Sequence, residues 1–134
     1  VSASPWQLYE PLAGFIRTNG YPAGTFHLKD FRWKDESFFN LFASPEDYKA
    51  GVIGPLLERF PQRRFVLVGD SGEKDPEIYA RLARSHPAQI ARIFIREVAD
   101  GDMNQARHQA AFGGLPAGLW KVFRAPAEIE GIIP

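Results

Sequence analysis

The amino-acid sequence predicts an α/β protein built on a parallel sheet with helices on both faces. Three observations carry that expectation. Two runs, 65–68 and 90–95, are apolar with almost no polar interruption, the pattern of strands buried on both faces. Segments of helical apolar spacing alternate with them, and such alternation marks parallel strands joined by helical crossovers. The first run also leads into Gly69-Asp-Ser-Gly72 and then into the helix start Asp75-Pro76-Glu77. Two aspartates therefore lie beyond the carboxyl end of a parallel strand, where open α/β sheets place their ligand sites.

The totals set bounds on class and partners. The 134 residues fit a single domain, 1–134, with room for a sizeable core. Sixteen basic and sixteen acidic residues balance, so no overall field favours nucleic acid or an anionic membrane. The absence of cysteine excludes a disulfide scaffold and thiolate metal sites, and it is compatible with a reducing cytosol. No apolar run approaches the roughly 20 residues of a membrane span, and no signal peptide is visible. The first residue is Val1 rather than Met, which places the expected start of the protein upstream.

Taken in order, Val1-Ser-Ala-Ser4 reads as the last residues of a strand. Ser4-Pro5-Trp6-Gln7 has the form of a capping box, with Ser4 at the N-cap and Pro5 in the first helical position. Leu8, Tyr9, Leu12, Phe15 and Ile16 form one helical face, ending at Thr18-Asn19-Gly20. Pro11 within it argues against a straight helix. A turn at 21–24 precedes a short strand at 25–28. Residues 30–42 then mix charges with Phe31, Trp33, Phe38, Phe39 and Phe42. This stretch reads as irregular or lid-like: either satellite core under a long loop, or a wall that meets an apolar substrate. Ser44-Pro45-Glu46-Asp47 opens the next helix, Gly54-Pro55 predicts a kink in it, and Phe60-Pro61 its end.

After the strand at 65–68, Asp75 is the expected N-cap of a helix whose apolar face is Ile78, Tyr79, Leu82 and Ala83. His86-Pro87 closes it, and the second buried strand follows at 90–95. The polar, glycine-containing stretch 100–114 predicts a loop with a short helix. A last edge strand is expected at 119–123. Ala125-Pro126-Ala127-Glu128 opens a terminal helix.

Five positions invite a chemical reading, each with a plainer alternative. Asp70 and Asp75 are paired carboxylates with oxygen-only surroundings, which suits a hard cation such as magnesium. Equally, Asp70 forms a turn and Asp75 caps a helix. Lys49 stands one place from an apolar helix face; it either snorkels outward or offsets carboxylate charge and holds a phosphate. Ser4 is explained as a cap. Ser2, at a strand-to-helix junction, can point into the strand-end crevice and hold an anion beside helix N–H groups. His27, His86 and His108 read as ordinary surface or capping residues. Gly-Asp-Ser-Gly also occurs at the nucleophile of chymotrypsin-like proteases, which are all-β. Esterases with a Gly-Asp-Ser block pair it with a later Asp-x-x-His, a spacing this chain lacks.

Together, Val1-Ser-Ala-Ser-Pro-Trp-Gln-Leu-Tyr9, Tyr48-Lys49 and Phe65-Val-Leu-Val-Gly-Asp-Ser-Gly-Glu-Lys-Asp-Pro-Glu-Ile-Tyr79 resemble the catalytic domain of the actin-patch-type phosphatidate phosphatases. That family is related to the lipins and belongs to the haloacid dehalogenase superfamily. The resemblance extends from Val1 to about Arg124 and implies a Rossmann-like, haloacid-dehalogenase-like fold. It also implies roles. Ser2 matches the hydroxyl that holds the transferring phosphate, and Lys49 the lysine that stabilises the phosphoryl intermediate. Asp70 and Asp75 match the acidic residues that hold magnesium directly or through water. The implied chemistry is covalent: an aspartate attacks phosphorus and water hydrolyses the aspartyl-phosphate, while magnesium neutralises phosphate charge.

The family's first motif, Asp-x-Asp-x-Thr, occurs nowhere in the sequence. Its central strand is therefore expected before Val1, leaving a sheet that lacks its first central strand and has open edges. The expectation is a truncated domain, inactive alone, whose parent is a magnesium-dependent phosphatidate phosphatase. The resemblance implies phosphatidate as substrate, with peripheral membrane contact; the lack of cysteine fits a cytoplasmic location, and the balanced charge gives no expectation of a nucleic-acid partner. Two other functions stay open. One is a non-catalytic lipid-binding module on the same fold. The other is a phosphatase of the same superfamily that acts on a soluble phosphomonoester.

Overall fold

A computed structural model of the protein describes residues 1–29, 45–98 and 102–132. The aromatic segment 30–42 lies outside the described residues. Contacts divide the chain into two compact units, Val1–Ile53 and Gly54–Pro134. All strand pairings among the described residues are parallel, as the strand–helix alternation predicts. The strands form two sheets rather than one, β1-β2 and β3-β4-β5.

In the first unit, β1 (Ser2–Pro5) pairs with β2 (Leu28–Lys29), with a shift of register between its two pairs. Thus β2 starts at the last residue of the expected strand. A 3-10 turn at Trp6–Leu8 precedes α1 (Tyr9–Thr18). No side-chain cap bond opens either element, so the capping box expected at Ser4 is not formed. Pro11 falls in the first turn of α1, where its missing N–H would have no intrahelical partner. The helix ends as its sequence suggests. Asn19 donates its backbone N–H to the Phe15 carbonyl at 3.1 Å, and Gly20 takes φ +70°, the left-handed geometry that glycine adopts at least cost.

Helix α2 (Pro45–Arg59) contains the division between the units and runs on through Pro55 without a break. At its far end, the Gln89 side-chain amide donates to the carbonyls of Leu57 (2.9 Å) and Phe60 (3.2 Å), which satisfies carbonyls that the ending helix leaves unpaired.

The second unit holds the larger sheet: β3 (Phe65–Asp70), β4 (Ile90–Arg96) and β5 (Trp120–Phe123), in that order. α3 (Asp75–Ser85) and α4 (Asp102–Phe112) make the two crossovers. The strand buried on both faces is β4, where Ile93, Phe94 and Ile95 are consecutive and inaccessible. β3 was expected to share that burial and does not. Leu67 is buried but Val68 is 57 % exposed, because β3 is an edge strand of the described sheet. An apolar run reports hydrophobicity, not position in a sheet. β5 occupies the other edge, as expected.

Phe94 and Phe123 meet edge to face at 6.4 Å between centroids; with Ile129 they form a buried cluster against which Val66 and Ile132 pack. α3 buries Ile78, Tyr79, Ala80, Leu82 and Ala83, a face wider than one stripe because the helix meets β3, β4 and α4. α4 is three turns long rather than short. Its carboxyl end is closed by Arg84, which donates to the carbonyls of Ala111 (2.6 Å) and Gly113 (3.0 Å). Beyond β5, the expected terminal helix is a single 3-10 turn at Pro126–Glu128.

Candidate active site

The carboxyl end of β3 brings Asp70 and Asp75 together. The strand extends two residues further than its apolar run, so Gly69 and Asp70 belong to β3 rather than to the turn. Asp70 Oδ1 accepts the backbone N–H groups of Gly72 (2.8 Å) and Glu73 (3.3 Å), an aspartate-turn arrangement that folds the loop back. Asp75 is not the N-cap that its sequence context suggests. It is the first residue of α3, with no side-chain cap bond at that terminus. Its carboxylate instead reaches back to the strand, where Oδ2 accepts the Asp70 N–H at 3.1 Å.

That reach depends on Gly69. A Cβ built on Gly69 would lie 2.3 Å from Asp75 Oδ2 and 2.7 Å from Asp75 Cβ and Cγ. The missing side chain is the space the carboxylate uses, and Asp75 is thereby only 2 % exposed. Tyr79, one turn along α3, donates its Oη to the Val68 carbonyl at 3.1 Å. Its phenol pKa is raised above the ordinary value by burial first, then by the negative charges of Asp75, Asp70 and Glu73. The hydroxyl therefore stays a donor at any working pH.

From its sequence context Gly69 reads as a turn residue and Tyr79 as core. Neither role had a local signal, since each depends on what lies across the strand end. Ser71 is also buried: its N–H donates to the Arg96 carbonyl at 2.9 Å, and its Oγ donates to Glu97 Oε1. The Val98 N–H completes that hydroxyl at 3.0 Å, and Asn104 Nδ2 reaches the same Glu97 oxygen at 3.0 Å.

The donor set at this strand end is two carboxylates without nitrogen or sulfur. Magnesium keeps most of its waters and takes one or two carboxylates plus substrate phosphate, so Asp70 and Asp75 fit it. Among the described residues no group of three or more His, Cys, Asp or Glu side chains is arranged to hold a metal alone.

Ser2 and Lys49 belong to the first unit. Ser2 N–H donates to the His27 carbonyl at 2.9 Å, which pins β1 against the residue before β2. Ser2 Oγ donates to Ser4 Oγ at 2.9 Å and accepts the Ser4 N–H at 3.1 Å. Ser4 thus supports Ser2 rather than a helix end. Both hydroxyl residues line a cleft of about 310 Å³ whose other walls include Leu12, Ile16 and Phe26. Lys49 is 6 % exposed, which overturns the snorkelling alternative: its place on α2 faces inward.

Of the histidines, His86 ends α3, donating its N–H to the Leu82 carbonyl at 2.9 Å. His108 corrects the surface reading. It is buried, with Nδ1 3.7 Å from Glu97 Oε2, and its Nε2 has no hydrogen-bond partner among the described residues. The surface reading failed because α4 turns that residue inward against the end of β4.

The sequence profile described as "Phosphatidate phosphatase APP1, catalytic domain" matches residues 1–97. The chain belongs to that family. It is 38 % identical over 96 residues to the phosphatidate phosphatase APP1 of Saccharomyces cerevisiae, covering 72 % of this chain and 16 % of the yeast protein. It is 33 % identical over 99 residues to an uncharacterised Schizosaccharomyces pombe protein, covering 73 % of this chain and 16 % of that one. The chain thus spans about one sixth of the length of the curated relatives it matches. No solved structure matches it significantly. Ser2, Lys49, Asp70 and Asp75 all lie inside the matched residues, whereas α4 and β5 lie beyond them.

Proposed function

We propose that residues 1–134 are part of the catalytic domain of a magnesium-dependent phosphatase of the haloacid dehalogenase superfamily. The protein would hydrolyse phosphatidate to diacylglycerol and phosphate. The observation that carries the proposal is the Asp70–Asp75 pair, gathered at the end of a parallel strand by the Asp70 N–H to Asp75 Oδ2 bond. Membership of the phosphatidate phosphatase family supports the reaction class, and the all-parallel strand pairing supports a Rossmann-like sheet.

In this proposal Asp70 and Asp75 hold magnesium, directly or through water. The ion would neutralise phosphate charge and orient it. Ser2 donates its hydroxyl to a phosphate oxygen once released from Ser4, and Lys49 supplies the positive charge that stabilises the phosphoryl group. A segment outside these 134 residues supplies the aspartate that attacks phosphorus, because none of them reads Asp-x-Asp-x-Thr. Water then hydrolyses the aspartyl-phosphate. The chain alone is accordingly inactive. The parent works in the cytoplasm with peripheral contact to the membrane that holds its lipid. No helix among the described residues is long and apolar enough to cross a membrane.

The test extends the chain upstream and measures phosphate release from phosphatidate with and without magnesium, beside Asp70→Asn. Loss of activity in both controls is the expected result. Magnesium-independent release, or an unaffected Asp70→Asn, would sink the proposal. The missing nucleophile motif favours one second reading, a lipid-binding module without catalysis. Flotation with liposomes that contain or lack phosphatidate checks it, and equal binding to both counts against it. A panel of soluble phosphomonoesters separates the lipid substrate from a soluble one.

A further inference from the structure

We infer that Arg107, on α4, is the positioning residue that holds the Asp70–Asp75 loop in its metal-binding shape. The inference rests on the magnesium reading of those two aspartates. Arg107 reaches the loop from a helix outside the residues matched to the family. Its Nη1 donates to the Ser71 carbonyl at 2.7 Å, and Nη2 donates to the Glu73 carbonyl. Its Nε and Nη2 donate to the two oxygens of Glu77 at 2.6 and 2.8 Å.

These contacts bracket both aspartates. Ser71 follows Asp70, Glu73 lies two residues before Asp75, and Glu77 lies two residues after it. One planar guanidinium therefore ties the strand exit, the loop and the first turn of α3 to a single point on α4. The geometry needs arginine. Its five donors lie in a rigid fork that can meet two carbonyls and one carboxylate at once, whereas a lysine ammonium is a single flexible point. The carbonyls that Arg107 holds belong to the segment whose N–H groups, at Gly72 and Glu73, aim at Asp70 Oδ1. Releasing those carbonyls frees the turn that orients the Asp70 carboxylate. A second tie on the same loop comes from Ser71 Oγ to Glu97. Arg107 thus acts on the metal only through the residues that would hold it, as outer-shell partners of metal ligands do.

The experiment measures magnesium binding to the 134-residue chain by calorimetry, with amide hydrogen exchange at Gly72 and Glu73 as a readout that needs no metal. The proteins are wild type, Asp70→Asn, Arg107→Gln, Arg107→Lys and Glu77→Gln. The expected result is loss of binding in Asp70→Asn and about 10-fold or greater weakening in Arg107→Gln. Arg107→Lys should recover little, and exchange at Gly72 and Glu73 should quicken in both Arg107 variants. If Arg107→Gln fails to fold, Glu77→Gln carries the same readouts with only the anchoring carboxylate altered. Wild-type affinity and unchanged exchange in the Arg107 variants would overturn the inference. If the wild type itself binds no magnesium, the metal reading fails on its own, and unchanged exchange rates would then overturn the loop-positioning role separately.

Discussion

At the end of β3, Ser71 is tied to the Arg96 carbonyl and to Glu97 beyond β4, and its carbonyl to Arg107 of α4, while β3 pairs with β4 at six positions. At the end of β1, the pairing with β2 covers two positions with a register shift; Ser2 and Ser4 bond to each other, and the Ser2 N–H to the His27 carbonyl. The helix after β3 buries seven of its eleven residues, while the 3-10 turn and α1 after β1 bury none. Both junctions carry a family signature of similar specificity. The difference teaches that matching residues alone do not say how firmly a junction is held, which the sheet and helices behind it determine.

The sharpest way to break this contrast is Gly69→Ala. The added methyl would have to displace the Asp75 carboxylate from 2.3 Å, at an overpacking cost of about 1–3 kcal/mol, and, if the two aspartates hold magnesium as proposed, with loss of that binding. Denaturant unfolding beside metal calorimetry checks both. A normal affinity would mean that the acidic junction is not preorganised by close packing.

Tyr79→Phe comes next. It deletes the bond to the Val68 carbonyl and should cost about 1 kcal/mol. Because the folded phenol pKa is raised, the contribution is whole below the ordinary value of about 10 and is lost as pH rises toward the folded value. Unfolding measured across alkaline pH should therefore show the gap between wild type and Tyr79→Phe shrinking. A constant gap would contradict the buried, hydrogen-bonded phenol.

Glu77 gives a smaller effect of opposite sign. The hydrogen bond from Arg107, chiefly, holds its carboxyl below the ordinary range. Its contribution is whole above the unfolded value of about 4.3 and is lost as pH falls through the depressed folded value. The side chain is 36 % exposed, so solvent screening limits the contribution to about 0.5 kcal/mol. Acid unfolding of Glu77→Gln should lack that limb of pH dependence.

Smallest of all is Ser4→Ala, expected within about 0.5 kcal/mol of wild type, since Ser4 caps no helix in the structure. A loss near 1 kcal/mol in Ser4→Ala that Ser2→Ala does not share would point to an N-cap rather than to the Ser2–Ser4 bond, and would narrow the contrast between the junctions.

Much of the architecture is legible in the sequence. Unbroken apolar runs and helical spacing placed β3, β4, α1, α2 and α3 within a few residues, because periodicity and turn chemistry are local properties. The signature residues pointed to Asp70 and Asp75 for the same reason, as they sit at fixed offsets on one loop. Other features depended on what the fold lays alongside a residue, from the next loop to a helix more than 30 residues away. Arg107 reads as one cation in a polar stretch until α4 is laid beside the loop, and the same packing buries His108 against Glu97. Gly69 reads as a turn residue until the Asp75 carboxylate takes the space its side chain would fill.

The sequence by itself determined an α/β chain of parallel strands, its family, and the two aspartates at a strand end. Only the tertiary structure decided that β4 rather than β3 is interior to the described sheet, that Lys49 is buried, that Asp75 turns back to the strand rather than capping its helix, and that an arginine beyond the family match grips the loop. The physical reason is range. Backbone preference and hydrophobic period act along the chain over a few residues, whereas burial and hydrogen-bond partners are settled by whichever segment the fold brings alongside.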